Sequence, residues 1–184
     1  MADKNILKEK ILEGARLYLR PVRASDANEA YADWLNDEEI NQYLESRFVK
    51  HTPESIGAYI EKILQNKDIF FFAMVRKDNN RHIGNIKLGP IDWRHKLGDI
   101  GIIIGDKDSW GKGYATEAID ILSEFSFSEL GLHKLTAGAY MNNVGSVKAF
   151  QRAGFSEEGI RKSHYLFNGE YVDSVLLAKI SQKL

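Results

Sequence analysis

Apolar positions along the chain recur with a period of two in some stretches and with helical spacing in others, so the pattern predicts alternating strands and helices. Met1 to Glu13 is charged throughout, with Ile6, Leu7, Ile11 and Leu12 at intervals that suit a short amphipathic helix. Arg16 to Arg20 alternates as a strand does, and Pro21 ends it. Ser25-Asp26 is a helix cap signal, and the helix should reach about Asn36 with Ala27, Ala30, Tyr31, Trp34 and Leu35 inside. Asp37 to Thr52 reads as irregular or weakly helical. A second helix is expected from Thr52-Pro53, with Ile56, Tyr59, Ile60, Ile63 and Leu64 inward.

Six strands, two helices and their turns follow. Ile69 to Arg76 is aromatic and β-branched, Asp78 to Asn80 is a turn, and His82 to Leu88 returns as the hairpin partner. Pro90 to Lys96 is a loop. Asp99 to Ile104 is the central strand, followed by a polar loop from Gly105 to Ser109. Ala118, Ile121, Leu122 and Phe125 place a helix over Tyr114 to about Leu130, and Gly131 suits its C-terminal end. Lys134 to Tyr140 is a strand, Asn142-Asn143 opens a helix that Gly154 stops, and Phe155 to Leu166 is a long strand. Asn168-Gly169 is a strong hairpin turn before the last strand, Tyr171 to Ile180. This order is mixed α/β. The first crossover after the central strand makes a parallel pair, right-handed by rule.

Length and charge narrow the function. The 184 residues fit one domain spanning 1–184, with 1–13 as an N-terminal extension. A net charge of -1 provides no global basic field for nucleic acid or an anionic membrane. The chain has no cysteine, which excludes a disulfide frame, a thiol nucleophile and a Cys-based zinc site. The longest apolar run, Ile69 to Val75, is too short to span a membrane. The expectation is a cytoplasmic protein that uses no metal and binds neither nucleic acid nor membrane; a homodimer is left open.

The chemistry concentrates after the central strand, in Trp110-Gly111-Lys112-Gly113-Tyr114-Ala115-Thr116. A strand, a glycine-flanked loop and a helix in that order aim free N–H groups and the positive end of a helix dipole at one point, which suits phosphate or pyrophosphate. The dinucleotide fingerprint requires a third glycine where Thr116 stands. The nucleotide P-loop requires Ser or Thr where Gly113 follows Lys112.

The loop resembles instead the acyl-CoA loop of the GNAT superfamily of N-acyltransferases, in the RimJ/RimL-like branch, where Trp110 stands for a more usual Gln or Arg. The segment Asn143-x-x-Ser146…Phe150-x-x-x-Gly154-Phe155 resembles a second motif of that superfamily and lies about thirty residues later. The likeness covers about Arg16 to Ile180. It implies a GNAT fold: a central, mostly antiparallel seven-stranded sheet with helices on both faces. It also implies that the parallel strands Asp99–Ile104 and Lys134–Tyr140 splay apart to admit the pantetheine arm of acetyl-CoA, with Gly101 and Gly138 on the two lips. Cofactor contacts would come from Ile102, Ile103 and Ile104, from Trp110 through Thr116 (with Gly111, Lys112, Gly113, Tyr114 and Ala115 between them), and from Asn143, Ser146 and Phe150. The family often has a catalytic tyrosine where Phe150 stands, and phenylalanine cannot donate a proton.

The activity so implied is acetyl transfer to a primary amine by direct attack in a ternary complex. The amine must be neutral when it attacks, which needs a base within about one water. Asp99 is the first choice for that role and His95 the second, with Asp92 and Glu117 behind them. Glu117 is better explained as complementing its helix N-terminus. Tyr165 is a candidate proton donor to sulfur. Trp34, Tyr43, Phe48, His51, Trp93, Arg94 and Tyr165 are candidates for the acceptor wall. The final strands look most like relatives that modify small amino compounds, amino sugars and sugar nucleotides included. Protein N-termini, polyamines and amino-bearing antibiotics are alternatives, as is a CoA-binding sensor without catalysis.

Overall fold

The computed structural model describes residues 7–182. Its framework is an eight-stranded sheet in the order β1-β2-β3-β4-β5-β6-β8-β7. The strands are β1 (Leu12–Glu13), β2 (Leu17–Pro21), β3 (Phe70–Arg76), β4 (His82–Leu88), β5 (Leu97–Ile104), β6 (Lys134–Tyr140), β7 (Ser156–Phe167) and β8 (Glu170–Ile180). Every neighbouring pair is antiparallel except β5 and β6. The helices are α1 (Glu29–Asn36), α2 (Glu38–Asn41), α3 (Pro53–Gln65), α4 (Tyr114–Ser128) and α5 (Val144–Arg152).

β3 shows why the sheet has a core on both faces. Its sequence Phe70-Phe71-Phe72-Ala73-Met74-Val75 is apolar at every position, as a strand covered on both sides must be. Phe70, Phe72 and Met74 join the core under α4, with Leu17, Leu19, Ile86, Leu88, Ile100, Ala118, Ile119, Leu122 and Phe125. Phe71, Ala73 and Val75 face the other way and meet Tyr31, Leu35, Ile56, Ile60 and Ile63 of α1 and α3. The side chains of β5 divide likewise. Ile100, Ile102 and Ile104 pack toward α4, while Ile103 packs toward α1 and α3.

Several expectations change. The sheet has eight strands rather than seven, because Leu12–Glu13 pairs with Leu19 and Tyr18 as a short edge strand instead of ending a helix. Leu7 and Leu12 are buried but Ile11 is exposed, and the part of the expected helix from Met1 to Ile6 lies outside the described residues. The helix expected after Ser25-Asp26 starts later, at Glu29, capped by the Asn28 side chain accepting from the Tyr31 N–H. Ala30 is therefore exposed and Ala32 takes the buried place. Tyr59 and Leu64 also lie on the solvent side of α3. The segment read as irregular contains α2 and a short 3₁₀ turn, Glu45–Phe48. The Asn168-Gly169 turn has φ of 51° and 84°, the left-handed pair that a tight hairpin requires.

Asp26 has a different task from the capping expected of it. Its carboxylate takes a two-pronged ion pair from the Arg20 guanidinium at 2.8 and 2.7 Å and a third bond from the Arg23 N–H. Burial alone would raise its pKa, but these donors outweigh it and hold the carboxyl below its ordinary value. A depressed carboxyl stabilises the fold above its unfolded-state pKa, and that contribution is lost as pH falls through the lower folded value. Asp26→Asn should therefore cost about 3–5 kcal/mol in urea unfolding at pH 7, because Arg20 is left unpaired. The gap to the parent should narrow as pH drops below about 4.

Candidate active site

The ladder between β5 and β6 stops early. Leu97, Gly98 and Asp99 pair with Lys134, Leu135 and Thr136, and no pairing follows, although β5 continues to Ile104 and β6 to Tyr140. The outer sides of both strands are fully engaged. Asn85, Lys87 and Leu88 of β4 stand opposite Ile103, Gly101 and Ile100, while β8 pairs with all seven residues of β6.

The phase of these ladders decides which amides face the gap. The Gly89 N–H donates to the Asp99 carbonyl and the Gly105 N–H to the Ile83 carbonyl, so odd positions of β5 turn to β4. The Met141 N–H donates to Asp173 and the Ser181 N–H to His133, so odd positions of β6 turn to β8. Main-chain groups of Ile102 and Ile104 on one lip, and of Gly138 and Tyr140 on the other, point into the gap. The amide of Ile103, grouped with its neighbours in the sequence reading, instead faces Asn85 on β4. Gly101 and Gly138 leave the lips unobstructed, since a Cβ on either would meet nothing within 4 Å.

The open end of the gap leads to the glycine loop. Gly111 and Gly113 have φ of 70° and 81°, which glycine adopts without the Cβ penalty, and Gly113 is the N-cap of α4. The Trp110 indole N–H donates to the Ile104 carbonyl at 2.9 Å, fixing the loop to the end of β5. Asp106 anchors the preceding turn through Arg81 and Ser109. Thr116 in the first turn of α4 touches the Ala149 carbonyl of α5 at 3.5 Å. Loop, gap and α5 together enclose a cavity of about 610 Å³. A larger hollow of about 900 Å³ lies elsewhere, between Asp120 and Glu124 of α4 and the ends of β7 and β8, away from the loop.

Of the residues expected to hold a cofactor, Ile102, Ile103, Ile104, Trp110, Gly111, Gly113, Tyr114, Ala115, Thr116, Asn143, Ser146 and Phe150 line this cavity. Lys112 is exposed and does not line it; its carbonyl accepts from the Arg16 guanidinium at 2.8 Å. Asn143 also caps α5 by accepting from the Ser146 N–H. Phe150 is 2% exposed and packs on Phe155, so one edge of it reaches the cavity from the core.

The candidate bases are distributed unevenly. Asp99 sits where the β5–β6 ladder ends, and the Thr136 hydroxyl donates to its Oδ2 at 2.7 Å. Its side chain is exposed on one side and crowded by protein on the others; the crowding pushes its carboxyl above the ordinary value, against the opposing pull of Thr136 and Lys87. His95 lies in an exposed loop, its N–H bonded to Asp92 Oδ1, at the paired end of β5. That is roughly 23 Å of strand from the glycine loop. Asp92 spends its carboxylate on the N–H groups of Arg94 and His95. Glu117 is occupied too, accepting from the Arg16 N–H, the Arg16 Nε and the Leu17 N–H, and so ties α4 to β2.

Among the acceptor-wall candidates, Tyr43 and Tyr165 line the cavity and the other five do not. Trp34 packs under Gly105 and edge-on to His82. Phe48 is 71% exposed beneath the Arg47 guanidinium. His51 is pinned to Ser46 and Asn36. Trp93 donates to Asp68 and packs on the core, while Arg94 shares the loop of His95.

The observed wall is an aromatic cluster. Tyr165 stacks on Tyr140 at 4.1 Å, and Tyr43 stacks on Phe167 at 5.2 Å. The Tyr140 hydroxyl donates to Glu45 and accepts from Arg47; burial, then the Glu45 carboxylate, push its pKa up to about 12. Tyr140 and Glu45 were missed in the sequence, where Tyr140 is simply the last residue of a strand. No group of three or more His, Asp or Glu side chains among the described residues could hold a metal ion.

The fold is shared with known proteins. Probable N-acetyltransferase YjcK of Bacillus subtilis (strain 168) is 29% identical over 175 residues, covering 91% of this chain and 96% of the relative. Spermidine N-acetyltransferase from Vibrio cholerae, solved in complex with CoA and spermine, superposes with a TM-score of 0.82 at 24% identity, covering 91% of this chain and 97% of that one. RimJ from Mycobacterium smegmatis, solved with CoA-disulfide, superposes with a TM-score of 0.81 at 20% identity, covering 96% and 90%. Residues 16–156 match the family described as "Acetyltransferase (GNAT) domain". The chain thus belongs to the GNAT family of acetyltransferases.

Proposed function

We propose that this acetyltransferase uses acetyl-CoA to acetylate a primary amine of a small molecule, by direct attack with both substrates bound. The unzipped β5–β6 pair carries the reading. Its facing amides suit a pantetheine arm, which itself contains amides and can pair as an added strand does. The glycine loop and the N-terminus of α4 suit the diphosphate. Acetyl-CoA supplies an acetyl thioester, and its thiolate leaves readily because a thiol pKa is near 8.5. A tyrosine at Phe150 is accordingly not required; solvent, or the Tyr165 hydroxyl at the cavity wall, can return the proton.

The N–H groups of Ile102 and Ile104 are positioned to donate to the carbonyl oxygen as it gains charge. Asp99 accepts the amine proton through water. Thr136 holds its Oδ2, which leaves Oδ1 to receive that proton. Glu45 and the tyrosine hydroxyls supply polar contacts for an acceptor bearing hydroxyl or further amino groups. Amino sugars and sugar nucleotides fit that description, and so do polyamines, the substrate class named for the Vibrio cholerae relative. Thiol release from acetyl-CoA across a panel of amino sugars, polyamines, antibiotics and short peptides tests the reading. Release with small amines is expected. No release with any amine would overturn the catalytic assignment, and release with peptides alone would overturn the small-molecule acceptor.

Two outcomes are expected for Asp99→Asn. Turnover should fall about 10²–10⁴-fold at pH values where the amine is protonated, and recover toward the parent as alkaline pH deprotonates it. An unchanged pH–rate profile would give the role to another group. Stability should change in the opposite sense. A carboxyl whose folded pKa is raised destabilises the fold once pH exceeds its unfolded value, so the variant should melt higher than the parent at pH 7. That advantage should vanish below about pH 4.

A further inference from the structure

We propose that Arg16 is a positioning residue for the glycine loop: its bond to the Lys112 carbonyl turns the Lys112–Gly113 peptide so that the Gly113 N–H faces the cavity. The proposal rests on the acetyl-CoA reading above. Arg16 stands just ahead of β2 and does not line the cavity, so it acts through the loop and not on the donor itself.

The peptide plane carries the argument. The Lys112–Gly113 bond is trans, so its C=O and N–H point in opposite directions. Arg16 Nη1 donates to the Lys112 carbonyl at 2.8 Å and draws that oxygen toward the start of β2. The Gly113 N–H is thereby turned to the other side, and Gly113 lines the cavity there. That N–H donates to no group among the described residues.

Nothing within the loop fixes this orientation. Turning the plane over changes ψ of Lys112 and φ of Gly113 and leaves the rest of the turn in place. Lys112 keeps a negative φ, where both helical and extended ψ are open to it. Gly113 has φ of 81° and can take the negative side as readily, because it has no Cβ. With the plane reversed, a carbonyl oxygen would face the phosphates in place of an N–H. The choice falls to a contact from outside the loop, and Arg16 supplies it.

Arg16 is itself held firmly enough to do this. Its Nε donates to Glu117 Oε2 at 2.8 Å, and its main-chain N–H donates to Glu117 Oε1 at 2.6 Å. Its guanidinium lies 4.8 Å from the centre of the buried Tyr114 ring, a cation–π contact. These contacts explain a tie between β2 and α4 but not the bond to Lys112. The side chain is half exposed, so water could serve its remaining N–H groups, yet one is spent on a loop carbonyl 96 positions away. The fit is close: a Cβ on Gly113 would stand 3.4 Å from Arg16 Nη2.

Titrations of CoA and of pantetheine, followed in NMR amide spectra, test this on the parent, Arg16→Gln and Arg16→Lys. Pantetheine can enter the gap but has no phosphate. In the parent the Gly113 amide peak should move with CoA and not with pantetheine. Both variants should bind CoA roughly tenfold more weakly, the loss of about one hydrogen bond to a charged group. Their affinity for pantetheine should be unchanged, and their Gly113 peak displaced before any ligand is added. Arg16→Lys keeps the positive charge beside Glu117 and carries the test should Arg16→Gln not fold. Parent-like CoA affinity in Arg16→Lys would overturn the proposal and leave only a charge effect. Equal weakening of both ligands would overturn it in favour of a general loosening between β2 and α4. A Gly113 peak unmoved by CoA in the parent would overturn it as well. CoA binding to no form, the parent included, would overturn the donor reading instead.

Discussion

The structure depends on a ladder that stops. Two parallel strands in the middle of a sheet would ordinarily pair along their length, because unpaired amides inside a fold are costly. Here pairing ends at Asp99 and Thr136, and the remaining lengths of β5 and β6 are kept apart by commitments elsewhere. β4 holds β5 on one side and β8 holds β6 on the other. The free end of β5 is fixed by the Trp110 indole on the Ile104 carbonyl. The free end of β6 is fixed by Tyr140, which stacks on Tyr165 and is bonded through its hydroxyl to Glu45 and Arg47. The gap is thus held open at both tips.

The same geometry separates two kinds of chemistry. Toward α4 and α5 the cavity has glycine amides and a helix N-terminus, both suited to phosphate. Toward the Glu45–Phe48 turn and β7 it has tyrosines and a carboxylate, suited to a polar amine. Asp99 lies where the strands part, on the face of β5 shared with Ile103 and turned toward α1 and α3. A donor entering along the gap and an acceptor approaching over that face would meet at the same place. Attack in a ternary complex then requires no transfer of the acetyl group to the protein, in keeping with a chain that has no cysteine nucleophile.

Parts of this arrangement were legible in the sequence because they rest on local rules. Gly111 and Gly113 mark left-handed backbone between a strand and a helix, and Asn168-Gly169 marks a hairpin, each from its own residues. The gap itself was not legible from periodicity. Nothing in Asp99–Ile104 or Lys134–Tyr140 says that pairing stops after three residues, and only the resemblance to a family suggested it. The acceptor wall was the least legible. Trp34, Phe48, Trp93 and Arg94 have the composition of a binding surface, but tertiary packing sends Trp34 beneath Gly105 and Trp93 to Asp68. Tyr140 and Glu45 reach the cavity because residues 95 positions apart come together, a relation no local window contains.

Asp99, the base proposed above, differs from a carboxylate that only holds the fold. Asp26 and Asp99 are both crowded carboxylates, and burial pushes the pKa of each upward. At Asp26 the fold answers with a guanidinium and an N–H, and the net shift is downward. At Asp99 it answers with one hydroxyl from Thr136 and a more distant charge on Lys87, and the net shift remains upward. A residue selected for stability alone would be paired as Asp26 is, or replaced by an apolar one. A base must instead keep an oxygen free and hold its proton affinity nearer the operating pH, at a cost in stability. Phe150 fits the same proposal: it turns only a ring edge to the cavity and has no proton to give, and the leaving thiolate makes the smaller demand, whereas freeing an amine of its proton makes the larger one.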